Sequence, residues 1–95
     1  MNIRLEADNV IIEGLVRGNT EVAEIKSVIS NLVSSSKIVT IQFENSYVIP
    51  SSLIGFLLKV IHDDKINLTV KVKQKELYDL LDRLNLVSAL NVSKV

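Results

Sequence analysis

Apolar and polar residues alternate in several short stretches of the chain, and this period predicts half-buried β-strands. The alternation runs through the first seven residues, and it is clearest from Val39 to Glu44 and from Ile66 to Lys73. Asp8-Asn9 predicts a turn after the first strand, and Val10 to Val16 reads as the returning strand of a hairpin. Gly14 interrupts that strand, which predicts a bulge or a close approach of two backbones.

Apolar residues spaced three and four apart predict three helices. In chain order the helices are expected over about Glu21 to Ser34, Leu53 to Asp63 and Lys75 to Leu84, and a short strand is expected between Leu86 and Val92. The order of elements is therefore β β α β α β α (β).

This order predicts one α/β domain over residues 1–95, with a four- or five-stranded, mostly parallel mixed sheet. Strands that are covered on both faces are apolar throughout, whereas several of these strands alternate. The three main helices are therefore expected chiefly on one face of the sheet. Polar residues of the two central strands are expected on the other face, namely Thr40, Gln42, Asn67, Thr69 and Lys71.

The turn before the second helix contains the most informative chemistry. Pro50 fixes its own φ, and Ser51 or Ser52 is expected to cap the helix that follows. Free N–H groups and the helix dipole favour negative charge at such a position. A phosphate group on either serine is expected to be well tolerated there.

The second helix is apolar over an arc of roughly 200°, wider than packing on one sheet face requires. Ile54, Leu57 and Ile61 lie near the middle of the arc and are expected in the core, whereas Phe56 lies at one edge, beside Ser52. The candidate partner-binding surface comprises Pro50, Ser52, Phe56, Lys59 and Asp63. The alternative is that neighbouring helices cover the phenylalanine and that the lysine is only a solvated charge.

The amino-acid composition excludes several classes of partner and ligand. Eleven basic and eleven acidic residues cancel, so neither nucleic acid nor an anionic membrane is expected as a partner, and low self-repulsion is compatible with a weak homodimer. The chain has no cysteine and one histidine, so neither a metal site nor a cofactor is expected. No stretch reaches the roughly 18 apolar residues of a membrane span. A soluble, cytoplasmic protein is expected.

The sequence shows no catalytic constellation. Its acids are scattered over turns and helix surfaces, His62 has no identifiable partner, and no base is evident beside Ser51 or Ser52. Glycine-rich phosphate loops are absent. A non-enzymatic protein is expected, and nucleotide or lipid binding at the turn from Asn45 to Ser51 is an alternative for which the helix N-terminus is the one argument.

The run Val48-Ile49-Pro50-Ser51-Ser52-Leu53-Ile54-Gly55, followed by Phe56-Leu57-Leu58-Lys59, resembles the central motif of the STAS family, the domain of anti-sigma-factor antagonists. That motif is a hydrophobic strand end, Asp-Ser-Ser/Thr-Gly-hydrophobic-Gly, and an apolar helix. Leu77-Tyr78-Asp79-Leu80-Leu81 and the run from Leu84 to Leu90 resemble the closing helix and tail of the family. With the order of elements, the resemblance covers nearly the whole chain and implies a small STAS-like fold.

The resemblance implies a regulatory protein-interaction module of bacterial partner-switching systems, which docks a kinase-like anti-sigma factor. Ser52 matches the serine that such a kinase phosphorylates, and Ser51 is the second candidate. The motif is degenerate, because Pro50 replaces the family's aspartate and Leu53 replaces its glycine. In Gly14-Leu15-Val16-Arg17, which matches the family's Gly-x-Leu-Asp, an arginine replaces a second acid.

An alternative function accounts for the lost acids. The chain is then a constitutive STAS-like structural subunit of a bacterial ABC-type lipid-transport complex. Such a subunit binds an ATPase subunit permanently and needs no phosphorylation. The wide apolar arc of the second helix also agrees with this alternative.

Overall fold

The computed structural model describes all 95 residues. The elements are β1 (Asn2–Glu6), β2 (Asn9–Glu13), α1 (Asn19–Val33), β3 (Ile38–Phe43), α2 (Ser51–His62), β4 (Asn67–Val72), α3 (Lys75–Arg83) and β5 (Val92–Lys94). This order confirms the order that the hydrophobic pattern predicts. None of the three helices combines the length and apolar character needed to cross a membrane.

The five strands form one sheet in the order β1-β2-β3-β4-β5. β1 and β2 are antiparallel, and every other neighbouring pair is parallel and connected through one helix. Crossovers between parallel strands are right-handed, so a strand order that advances in one direction places all the helices on the same face. The structure confirms the predicted α/β architecture, a mostly parallel mixed sheet with its helices on one face, as in the small STAS-like fold.

A single apolar core lies between the sheet and the helices. In β3, Val39, Ile41 and Phe43 point into it and are fully buried. The polar positions that were predicted for the opposite face are half-buried or exposed: Thr40, Gln42, Asn67, Thr69 and Lys71. The open face is thus mainly polar, and its apolar residues are Ile11 and the exposed Ile38.

The hairpin differs from its prediction at both ends. Its turn is formed by Ala7 and Asp8, with Ala7 at a φ of +53°, and not by Asp8-Asn9. β2 ends at Glu13, because the backbone turns at Gly14, whose φ is +91°. A Cβ at Gly14 would lie 3.2 Å from the Cα of Met1. Of the two predicted roles for this glycine, the structure shows the close backbone approach.

The last strand was placed too early by the sequence pattern. Residues 87–91 form turns, with the N–H of Leu90 bonded to the Leu86 carbonyl at 2.9 Å. The chain becomes extended only after Asn91, whose φ is +52°. Two leucines four residues apart suit a helical turn, which is the conformation found here in place of the predicted strand.

Candidate functional site

The N-termini of the three helices lie at one end of the sheet. Because each helix follows a parallel strand, α1, α2 and α3 all begin at the carboxyl ends of β2, β3 and β4. Ligands of open α/β sheets generally bind outside this end. The predicted serines lie in this region, after the β3–α2 loop, which we define as Glu44 to Pro50.

The β3–α2 loop is tied to both neighbouring connections. Asn45 Oδ1 accepts a hydrogen bond of 2.8 Å from the N–H of Gly14, which follows β2. On the other side, Gln74 Nε2 donates to the carbonyl of Glu44 at 3.2 Å, just before α3. These bonds join residues about thirty positions apart, so local sequence patterns could not reveal them.

The Glu44 carboxylate fixes the start of the same loop. It accepts a hydrogen bond of 2.8 Å from Gln42 Nε2 and lies 3.3 Å from Lys73 Nζ. The hydrogen bond from Gln42 and the charge of Lys73 together hold the pKa of Glu44 below its ordinary value, although partial burial opposes them. The carboxylate is therefore ionised at neutral pH and anchors the loop to the open face of β3.

The loop reverses the usual placement of polar and apolar residues. Ser46 is fully buried, and its Oγ has no hydrogen-bond partner. Its neighbours Tyr47 and Val48 are 50% and 64% exposed. Neither residue is among the predicted site residues, although an aromatic and a β-branched side chain within a polar turn are a signal visible in the sequence. They add an apolar patch three to four residues ahead of α2.

The serines at the start of α2 do not cap it, which corrects the prediction. Pro50 is the capping residue, and its carbonyl accepts the first helical hydrogen bonds from Leu53 and Ile54. Ser51 and Ser52 are thus the first two helical residues, where a hydroxyl cannot reach the N–H groups that a capping residue binds. Both serines are exposed, and α2 has no side-chain cap.

The predicted surface lies along one side of α2, with Pro50 just before it; we call Ser52, Phe56, Lys59 and Asp63 the α2 stripe. Ser52, Lys59 and Asp63 are exposed, whereas Phe56 is half-buried and packs against the core. Lys26 Nζ of α1 lies 5.7 Å from the centre of the Phe56 ring, within the range of a cation–π contact. The stripe therefore faces solvent at both ends, and α1 covers part of its middle.

The core side of α2 is rotated from the prediction. Leu57 is fully buried as expected, but Leu53 and Val60 accompany it, while Ile54 and Ile61 are only half-buried. An apolar arc as wide as this one does not specify its own centre, so the packing of α2 against the sheet decides which residues are innermost. Ile54 and Ile61 are left at the margin of the core.

The start of α1 forms a shallow polar depression of about 430 Å³, lined mainly by residues 17–21. Glu21 Oε1 accepts hydrogen bonds from the N–H groups of Arg17, at 2.7 Å, and Gly18, at 2.9 Å. The Glu21 carboxylate thus binds two N–H groups just before α1 and places a negative charge at the start of this helix. Nowhere do three histidine, aspartate or glutamate side chains lie together in a way that could hold a metal ion.

The fold and the site define a small two-layer α/β domain with two exposed serines at the start of its central crossover helix. The sequence matches no family model, and comparisons with curated proteins and with solved structures gave no match. The fold is compatible with a STAS-like domain, and the family resemblance depends on the order of its motifs along the chain.

Proposed function

We propose that the chain is a non-enzymatic, cytoplasmic regulatory module of the STAS type, which docks a kinase-like signalling protein through the N-terminal end of α2. Phosphorylation of Ser52 switches the docking off. The observation that supports this proposal is the state of Ser52, which is exposed in the first turn of a helix that it does not cap.

A phosphate at Ser52 suits the fold but not an apolar interface. It adds close to two negative charges, which the free N–H groups and dipole of α2 accept. Phe56 lies one helical turn further along the stripe, and the exposed Tyr47 and Val48 precede the helix. A charge among these apolar groups opposes their burial by a partner. Binding is then lost while the domain stays folded.

The two serines are not equivalent on this helix. Successive residues are about 100° apart around the axis, so Ser51 points away from the α2 stripe and Ser52 points along it. Modification of Ser52 therefore acts on the surface that contains Phe56 and Lys59. Ser51 remains the second candidate for phosphorylation.

Affinity purification from the native cells tests the proposal. The wild type, Ser52→Ala, Ser52→Asp and the control Ser30→Asp are compared; Ser30 is an exposed serine on α1. We expect one partner to be retained by all forms except Ser52→Asp, whose affinity for the purified partner falls about tenfold or more in calorimetry.

The purified partner should also transfer phosphate from ATP to the wild type but not to Ser52→Ala, as seen in the intact mass. Equal affinity of the wild type and Ser52→Asp for every partner would refute the switch.

The half-buried apolar residues of α2 favour a second candidate, the constitutive subunit of an ABC-type lipid-transport complex. Ile54, Leu58 and Ile61 share one side of the helix at spacings of four and three, and none is fully buried. A permanent partner could complete their burial. This function predicts stable co-purification with an ATPase subunit, no phosphate on Ser52, and no effect of Ser52→Ala. Recovery of the protein alone from its native cells would count against it.

A further inference from the structure

β1 is an edge strand whose outward backbone groups are free. In β2, the carbonyl of Ile12 accepts a hydrogen bond of 3.0 Å from Glu44, so this residue faces β3. Its partner across the hairpin is Ile3, and Val10, two residues before Ile12, is the partner of Leu5. Hydrogen-bonding direction alternates along a strand. Ile3 and Leu5 therefore direct their N–H and C=O groups away from the sheet, toward solvent.

The opposite edge of the sheet is closed by the chain itself. β5 has three residues, and the N–H of Val92 is bonded to the carbonyl of Val87 at 2.8 Å. Lys94 is aligned with Val72, so its charge lies on the helix side of this edge. A short strand and an inward charge both discourage pairing. β1 has no comparable protection, because its helix-side residues are Ile3 and Leu5.

Side chains on β1 are complementary to a second copy of the same strand. Leu5 is 53% exposed on the helix side. On the open face, Arg4 Nε lies 3.1 Å from Glu6 Oε2 of the same strand, and the two side chains remain 52% and 58% exposed. We propose that two copies of the chain associate through β1, antiparallel, with the two-fold axis at Leu5. In this register Leu5 lies opposite its own copy, and each Arg4 lies opposite the Glu6 of the other copy.

The charges of Arg4 and Glu6 favour this register over the one whose axis is shifted by one residue. A two-fold axis at Arg4 would also align the free backbone groups, but it would place the two arginines directly opposite each other. Like charges in opposed positions destabilise strand pairs, whereas opposite charges and paired apolar residues stabilise them. The register with Leu5 at its centre forms both Arg4–Glu6 pairs and buries both leucines.

The association is expected to be weak and reversible, since a five-residue strand buries less surface than a stable interface needs. It forms a continuous sheet across both copies. It also leaves the carboxyl end of the sheet, where α2 begins, accessible for the proposed docking.

Sedimentation equilibrium over a concentration series measures the association. For the wild type we expect a monomer–dimer equilibrium, about tenfold weaker in Arg4→Glu, Glu6→Arg and Leu5→Lys, because each places like charges opposite one another. The double variant Arg4→Glu/Glu6→Arg restores opposite charges and should recover the wild-type constant. Leu84→Lys is the matched control, since Leu84 is 50% exposed and lies just after α3, away from β1.

Amide hydrogen exchange gives a second readout. The amides of Ile3 and Leu5 should exchange more slowly as protein concentration rises, and they should not do so in Leu5→Lys. A wild type that stays monomeric at the highest concentration would overturn the proposal. The free edge of β1 would then be available only to a strand of another protein. A dimer that is unaffected by Leu5→Lys, or one that the double variant fails to restore, would overturn it as well.

Discussion

α1 and α2 pack on the same face of the same sheet, yet they begin in different ways. At α1, the Glu21 carboxylate accepts the N–H groups of Arg17 and Gly18. At α2, Pro50 offers no side-chain acceptor, and the exposed Ser51 and Ser52 do not replace it. A carboxylate of the chain itself therefore lies at the start of α1, whereas the first turn of α2 has none. Of the three helices, α2 alone has no acidic residue in its first turn, so an added negative charge gains most there.

Beyond their first turns, α1 and α2 are alike in how they pack against the sheet. Ile25 of α1 and Leu57 of α2 are both fully inaccessible to solvent and belong to the same core. Both also belong to crossover helices between neighbouring parallel strands. The contrast between the two helices is therefore confined to their first turns.

The largest expected effect tests this equivalence in the core. Ile25→Ala and Leu57→Ala should each lower the free energy of unfolding by about 2–5 kcal/mol, because each leaves a cavity in a packed interior. Urea denaturation measures the loss. Leu84→Ala is the control, since half of this side chain is already exposed, and its cost should be well below 2 kcal/mol. A loss confined to one of the two helices would mean that they do not share one core.

The regular part of the fold could be predicted from the sequence, because the period of apolar residues reports directly which side of an element is buried. The alternation in β3 and β4 gave both the strands and the open polar face. The period of apolar residues says less about which residues of a broad apolar arc, such as that of α2, are buried most deeply. This explains why Leu57 was placed correctly in the core of α2 and Ile54 was not.

The site was predicted less completely, for a different reason. The position of the serines followed from Pro50. Whether they cap the helix depends on a shift of one residue in where α2 begins, and sequence patterns do not resolve helix ends that finely. The bond from Gly14 to Asn45 and the burial of Ser46 depend on contacts between loops that are distant in the chain. Such contacts exist only after the sheet has brought the loops together.

A smaller effect on stability is expected from removing the Glu21 carboxylate at the start of α1. Glu21→Ala removes the acceptor of two N–H groups and should lower stability by about 0.5–2 kcal/mol, the usual cost of a lost cap. Glu24→Ala is the matched control in the same helix, because Glu24 is exposed and its side chain makes no hydrogen bond or ion pair; its effect should stay within about 0.5 kcal/mol. Equal effects of the two substitutions in thermal or urea unfolding would mean that the Glu21 carboxylate does not stabilise the start of α1. The contrast with α2 would then disappear.

The smallest effect comes from adding a charge to each helix start. Ser52→Asp should raise stability by about 0.3–1 kcal/mol, since a carboxylate in the first turn of α2 meets the helix dipole and free N–H groups. Asn19→Asp at the start of α1 should gain less, because the Glu21 carboxylate already occupies that position. Both gains should shrink with added salt in urea unfolding, as screening weakens the dipole interaction. If Ser52→Asp instead destabilised the domain by more than about 1 kcal/mol, a charge there would unfold α2 rather than remain on a folded surface. Phosphorylation could then not switch docking in the way proposed.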